Sequence, residues 1–359
     1  MKRVVVTGAN GHVGYSVAKL LVARGYDVRA TVRDASDPVK TAHLKALGVE
    51  IAEADLMRPE TLAPVMEGRD GLFQVAAVYR SWARDPQREI IEPSITGGIN
   101  ALRAAHTAGV GRVVFTSSTA AVGRAGPDGA PLSEADWNDA SRHPYSYAKT
   151  EAEHRAWAFA EESGLDLLVI NPTAVIGPDF HRHTPSTAPY RMLLRGELRR
   201  IPPITYGLVD ARDVAMGHVL AYETRQARGR HILCTECLPA AELVELVHDI
   251  DPEIKVPTRH AALWQIRALA RWEQVRSWFG REPRLTPETV REYLGKPTNY
   301  DSSKARRELG WRPRPIRQTV RDTLEWARTE PPQRWSEMRV GLTGEREAEL
   351  LRAWHDSRV

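Results

Sequence analysis

A tyrosine followed four residues later by a lysine occurs twice in this chain, as Tyr145 and Lys149 in HPYSYAKTEAEH and as Tyr300 and Lys304 in NYDSSKARRELG. Tyr147 lies inside the first stretch. A free phenol has a pKa of ~10, and a nearby cation favours its ionised form, so such a pair could protonate a carbonyl oxygen near neutral pH. The spacing carries that meaning only on a helix, where positions i and i+4 share a face. YSYAKTEAEHRAWAFAEESG is rich in Ala and Glu and closes at Ser163-Gly164, which predicts a long helix with Tyr145 and Lys149 side by side. Tyr147 is turned ~200° away and reads as a packing residue. Around Tyr300 the pattern fails, because Asp301, Ser302 or Ser303 is the natural N-cap of KARRELG and leaves the tyrosine outside the helix.

A second constellation is TGANGHVG, with Gly8, Gly11 and Gly14 directly after the apolar run RVVV. Glycine permits a positive φ at the turn and lets a pyrophosphate approach the N–H groups at the positive end of a helix dipole. The next β-rich run ends in ATVRDASDPVK. Arg33 and Lys40 there suit a 2′-phosphate, whereas a register one residue later would make Asp34 an acceptor for a ribose 2′-hydroxyl.

These residues need a scaffold. Apolar, β-rich runs recur at 27–32, 49–54, 71–78, 111–117 and 166–171, separated by helical patterns; the first helix carries Val13, Val17, Leu20 and Leu21 on one face and stops at Arg24-Gly25. Strand and helix alternating over 170 residues predicts an α/β fold, a Rossmann-type doubly wound parallel sheet. After NPTAVIGP the alternation breaks. Residues 1–172 and 204–236 are assigned to the sheet domain, with ITYGLVDARDVAMGHVLAYE returning to the sheet. A smaller, mostly helical lobe takes 173–203 and 237–330, and 331–359 form a C-terminal helical extension. Trp264, Trp272 and Trp278 are expected to pack inside the lobe.

Composition bounds the partners. Fifty Lys and Arg against 46 Asp and Glu leave a charge of +4 without long single-sign blocks, which implies no nucleic-acid partner. No run approaches the ~20 apolar residues of a membrane span, and Val4 to Val6 is far too short for a signal peptide. With two cysteines only, a reducing, cytoplasmic setting is expected. His231, Cys234 and Cys237 form an incomplete ligand set, so no metal is expected; a strand end and turn explain them better.

The ordered motifs TGANGHVG, Asp55-Leu56, VAAVY, VFTSS, YSYAK, NPTAVIGP, VDARDVA and YDSSKARRELGW together resemble the extended short-chain dehydrogenase/reductase family, over roughly residues 2 to 328. Within it the likeness is to the dihydroflavonol 4-reductase and cinnamoyl-CoA reductase group, which reduces carbonyls with NADPH. The resemblance implies a catalytic trio: Ser118, with Ser117 as the adjacent alternative, holding the substrate oxygen, Tyr145 donating the proton, and Lys149 binding the nicotinamide ribose and lowering the tyrosine pKa. It also implies NADP contacts from Thr7, Gly8, Asn10, Gly11, His12, Val13 and Gly14 of the loop, from Arg33 and Lys40, and from Asp55 and Leu56 around the adenine. Ala76, Ala77, Val78 and Thr116 would line the cleft, and Pro172, Thr173 and Val175 would border the nicotinamide. Ser94 stands where family members often carry an asparagine, which weakens any proton relay through that helix.

Loops on a rigid scaffold usually set specificity, so Tyr79, Trp82, His181, His183 and Tyr190 join Ser118 as candidate substrate contacts. The expected reaction is reduction of an aromatic or bulky apolar ketone or aldehyde by a homodimeric enzyme. Two rivals stand beside it. An NAD-dependent sugar-nucleotide epimerase or dehydratase would prefer an acid to Arg33, and dehydratases place Thr-Asp-Glu where this chain has Ser118-Thr119-Ala120. A non-catalytic NADP-binding regulator would tend to lose the Tyr/Lys pair.

Overall fold

The structure is a computed structural model that describes residues 2–126, 129–180, 183–279 and 281–329. The expected 331–359 extension and His181 therefore lie outside the described residues. Among the described residues no helix is long and apolar enough to cross a membrane.

Seven parallel strands form the main sheet: β1 (Arg3–Val6), β2 (Asp27–Val32), β3 (Glu50–Glu53), β4 (Gly71–Gln74), β5 (Arg112–Thr116), β6 (Leu167–Pro172) and β9 (Gly229–Leu233). Their order is β3-β2-β1-β4-β5-β6-β9, with Val4 paired to Val28 on one side and to Gly71 on the other. The strands are apolar throughout because both faces are covered. Val4, Val6, Phe73, Val114, Leu168 and Ile170 enter one core, while Val5, Leu72, Val113, Phe115, Leu167 and Val169 enter the other. That two-residue alternation is the pleat of a sheet buried on both sides. Helices α1 (His12–Ala23) and α7 (Ala211–Glu223) pack together over the first core; α3 (Ala63–Met66), α4 (Glu92–Thr107) and α5 (Pro144–Ser163) cover the second. The helix α2 (Pro38–Ala46) links β2 to β3. Chain order reverses between β1 and β4, and the crevice at that switch point is where ligands bind in open α/β sheets.

A second sheet of three strands carries the lobe: β7 (Ala174–Ile176), β8 (Thr205–Asp210) and β10 (Glu236–Pro239), in the order β10-β8-β7. Residues 205–210, expected to return to the main sheet, instead pair parallel with β7 and antiparallel with β10. The reason is spatial: β9 already pairs with β6 along the main sheet. Two short links join the sheets: Cys234-Thr235 between β9 and β10, and the single residue Thr173, buried between β6 and β7, whose N–H donates to the Leu233 carbonyl at 3.1 Å. Around the small sheet lie α6 (Ala188–Leu194), α8 (Ala240–Ile250) and α12 (Ile316–Arg328), sharing a core with Tyr190, Leu208, Leu243, Val320 and Leu324. Helix α9 (Leu263–Ser277) packs on α10 (Pro287–Tyr293), and α11 (Ser303–Glu308) packs on β9.

Two packing expectations fail. Trp264, Trp272 and Trp278 are 68%, 60% and 74% exposed rather than packed, because α9 turns its other face, with Ala270 and Glu273, into the protein. Tyr147 is 43% exposed; α5 buries the stripe Ala148, Ala152, Ala156 and Ala160 instead, whose small side chains allow its close approach to α4. The tail-side tyrosine, Tyr300, precedes α11 as expected and is buried, its hydroxyl donating to the Gly123 carbonyl at 2.7 Å. Lys304 serves the backbone of β9, donating to the Arg228 and Arg230 carbonyls.

Candidate active site

The first strand ends in a turn that only glycine can make. Gly8 adopts φ +62°, and a Cβ there would lie 2.8 Å from Ala76 Cα in the segment after β4. A Cβ on Gly14 would lie 2.2 Å from the Gly8 carbonyl oxygen, which already accepts from the Gly11 N–H at 2.9 Å. Gly11 is the N-cap of α1 and offers no side-chain cap, and the first turn holds no acid. The helix N–H groups are thus left to a ligand, and an anion is favoured there by the dipole. Thr7 points the other way. It is fully buried, bonded to Gln74 Oε1 at 2.7 Å, and accepts from the N–H groups of Val75 and Ala76. It shapes the loop without lining the cleft, contrary to expectation.

The turn opens into a cleft of about 2300 Å³. Of the expected cofactor contacts, Gly8, Asn10, Gly11, His12, Val13, Gly14, Arg33, Lys40, Asp55, Leu56, Ala76, Ala77, Val78, Thr116, Pro172, Thr173 and Val175 all line it. Beyond the end of β2, Arg33 is exposed without an ion pair among the described residues, whereas Asp34 is turned to Ser36 and does not line the cleft. Lys40 is bound at 2.7 Å to Asp37, the N-cap of α2. Lys45 also lines the cleft and was not anticipated.

In the same cleft, β5 terminates in Thr116, and Ser118 caps a short 3₁₀ turn by accepting from the Ala120 N–H at 3.1 Å. His143 and Pro144 start α5, so Tyr145 sits in its first turn and Lys149 one turn along. The phenol and the Ser118 hydroxyl both line the cleft, within electrostatic reach of each other. Ser117, the adjacent alternative, lines the cleft with its buried hydroxyl unpartnered among the described residues. Lys149 Nζ donates to the Thr116 carbonyl at 3.2 Å.

The expected lowering of the tyrosine pKa does not occur. Burial pushes the Tyr145 phenol well above its ordinary value and Tyr79 adds to this, while Ser118 and Arg124 act against it; the Lys149 ammonium is turned to the Thr116 carbonyl. Burial lowers Lys149 itself to about 8, opposed by Glu153. Ser94 is buried and donates to the Ile90 carbonyl within its own helical segment at 2.6 Å, away from the cleft.

Among the candidate substrate contacts, Tyr79 and His183 line the cleft. The Tyr79 ring meets Tyr145 edge-on at 5.5 Å, and its hydroxyl bonds Ser186 at 2.8 Å. Trp82 is half-buried outside the cleft, and Tyr190 is 1% exposed within the lobe core, because α6 directs it inward against the small sheet. Sequence reasoning missed Arg124, Ile266, Thr289 and Tyr293, which complete the wall. No spacing or motif marks them, since elements far apart in the chain bring them together. Cys234 and Cys237 follow β9 with sulfurs 3.6 Å apart, as free thiols.

Known proteins share this arrangement. Residues 4–234 match the NAD dependent epimerase/dehydratase family. Cinnamoyl-CoA reductase CAD2 of Medicago truncatula is 35% identical over 272 residues, 72% of this chain and 83% of its own length. A putative dihydroflavonol 4-reductase of Synechocystis is 33% identical over 329 residues, 89% of this chain and 93% of its own. Among solved structures, Gre2 of Candida albicans in complex with NADPH superposes with a TM-score of 0.73 at 26% identity, covering 92% of this chain and 99% of that one. The chain therefore belongs to the NAD dependent epimerase/dehydratase family, the extended short-chain dehydrogenases/reductases, within the cinnamoyl-CoA reductase and dihydroflavonol 4-reductase group.

Proposed function

We propose that this protein is an NADP-dependent reductase that converts an aromatic or bulky apolar ketone or aldehyde to its alcohol, with Ser118, Tyr145 and Lys149 as its catalytic residues. The observation that carries the reading is that Tyr145, Ser118 and Lys149 line one cleft with the glycine turn and with Arg33, which has no ion pair among the described residues. The residues fit the cofactor: an uncapped helix N-terminus behind glycines with no room for a Cβ suits a pyrophosphate, and Arg33 suits a 2′-phosphate.

When bound, the reduced nicotinamide supplies a hydride to the carbonyl carbon. Tyr145 gives its proton to the carbonyl oxygen; burial keeps that proton on the phenol at neutral pH, as a donor requires. Ser118 hydrogen-bonds the same oxygen, where charge develops only as the bond to carbon forms, so both groups favour the transition state over the ground state. Lys149, anchored on Thr116, is placed to hold the ribose hydroxyls. Catalysis of this kind contributes ~10² to 10⁴ in rate, so Tyr145→Phe should lower kcat by about that factor with the affinity for NADPH retained. NADPH oxidation with aromatic aldehydes and ketones measures it. Full activity in that variant removes Tyr145 from the mechanism. The domain reading accompanies the proposal with one change: the main sheet with its helices holds the cofactor, and the chain from 173 to 210 and beyond 236 supplies much of the substrate wall.

A further inference from the structure

We propose that Arg124 forms an anion subsite in the substrate half of the cleft, so that the carbonyl compound reduced here carries a carboxylate, or a similar planar acid group, on an apolar frame. The inference rests on the reductase reading of the same site. Arg124 lines the cleft beyond Ser118, with its guanidinium carbon 4.1 Å from the centre of the Tyr293 ring. Tyr293 in turn stands edge-on to His143, at 5.3 Å, which is the N-cap of the helix that carries Tyr145. The cation is thereby keyed to the proton donor's own helix.

Its charge is not spent on a carboxylate. Neighbouring Glu292 is occupied by Asn138 Nδ2 at 3.0 Å and Ser141 Oγ at 2.9 Å, and no carboxylate lies within 4.0 Å of Arg124 among the described residues. The Arg124 Nε is buried and has no hydrogen-bond partner there. A guanidinium has five donors in a flat fork that matches a carboxylate, and stacking on Tyr293 leaves its edge available. Burial works against this charge, yet Tyr293, Tyr300 and Glu292 outweigh burial and keep the group cationic.

The other cations of the cleft are engaged or remote. Lys149 is bound to Thr116, Arg80 pairs with Glu89, Lys40 pairs with Asp37, Arg33 stands beyond the end of β2, and Lys45 lies in the last turn of α2. Pro202, Ile204, Ile266, Leu285 and Leu294 make the rest of this wall apolar. An acid group on an apolar body matches one fork in a greasy wall, and a neutral analogue would leave a buried cation unmet.

Calorimetry on the full-length protein saturated with NADP tests this with benzoate, phenylacetate and 3-phenylpropanoate, each against its amide. At least one acid should bind ~10- to 100-fold tighter than its amide. In Arg124→Met that preference should fall to within about twofold of unity, and Arg124→Lys, which keeps charge without the fork, should fall between. Equal binding of acids and amides by the wild type overturns the proposal, as does a preference that survives in Arg124→Met. So does an Arg124→Met loss of NADP affinity as large as its loss of acid affinity, which would put the arginine in the cofactor site. Turnover of 4-carboxybenzaldehyde against methyl 4-formylbenzoate separates the two readings: oxidation of NADPH with neither aldehyde counts against the reductase, while the binding ratios alone decide the subsite.

Discussion

Gly14→Ala is the sharpest test of the cofactor turn, because the structure sets its consequence. The added methyl would sit 2.2 Å from the Gly8 carbonyl oxygen and 2.8 Å from its carbon, and contacts of this kind below 3.0 Å essentially do not occur. The carbonyl must therefore retreat by 0.8 Å or α1 must lift by as much. The same carbonyl accepts from the Gly11 N–H at 2.9 Å, so either shift should stretch or break that hydrogen bond. Overpacking of this kind costs about 1 to 3 kcal/mol of stability. Losing one charge-assisted hydrogen bond to a phosphate should weaken NADPH binding by about 10- to 100-fold. Gly25→Ala at the opposite end of the same helix is the control. Gly25 has φ +77° with nothing within 4 Å of a Cβ. The control should therefore lose ~1 to 2 kcal/mol to backbone strain alone, with NADPH affinity within about twofold of wild type. Fluorescence titration with NADPH and denaturant unfolding read the two quantities. If Gly14→Ala binds NADPH as tightly as the control does, the turn is not the pyrophosphate site and the cofactor reading loses its main support.

Two further outcomes follow from the electrostatics. Arg33 lines the cleft without an ion pair among the described residues, so Arg33→Glu should reverse the preference for NADPH over NADH in a fluorescence titration; equal affinity of the wild type for both removes the 2′-phosphate assignment. Burial lowers His143 and His218 from 6.5 to about 4, so both are neutral in the fold and charge first in the unfolded chain. The unfolded state then binds more protons between pH 6.5 and about 4, and stability falls as pH drops through that window. Each histidine should cost about 2 kcal/mol between pH 7 and pH 5. Unfolding midpoints that do not fall over that range would rule out the buried neutral form.

Much of this site could be read from residues whose meaning is local. The glycine turn is a steric requirement visible in the spacing, and the choice of Tyr145 over Tyr300 needed only helix geometry. The central strands were legible because a sheet buried on both faces leaves uninterrupted apolar runs. What escaped depends on partners distant in sequence. Trp264, Trp272 and Trp278 have the same apolar character whether they face a core or water, and only the packing of α9 on α10 decides between them. Arg124 is a loop arginine until Tyr293 closes over it. The segment 205–210 has the pattern of any buried strand, and its sheet was decided by which neighbours remained free. The pKa of Tyr145 was misjudged for a related reason: proximity along a helix fixed where Lys149 starts, while the carbonyl of Thr116 fixed where its ammonium ends.

The one-residue link from β6 to β7 also limits how the molecule can move. Domain closure around a ligand usually needs a few backbone positions free to rotate, placed where two bodies meet. Here that position is Thr173, and it is clamped: its N–H and its hydroxyl both donate to the Leu233 carbonyl, and its methyl fills the space over Gly207, where a Cβ would come within 2.9 Å. The end of β6 and the small sheet are thereby tied together at this link, which resists their opening as two jaws. On the proposed function, adjustment to substrates of different size would fall to the 183–187 segment and to the α9 and α10 pair, so that shape selection there would change while the hydride path stays in register.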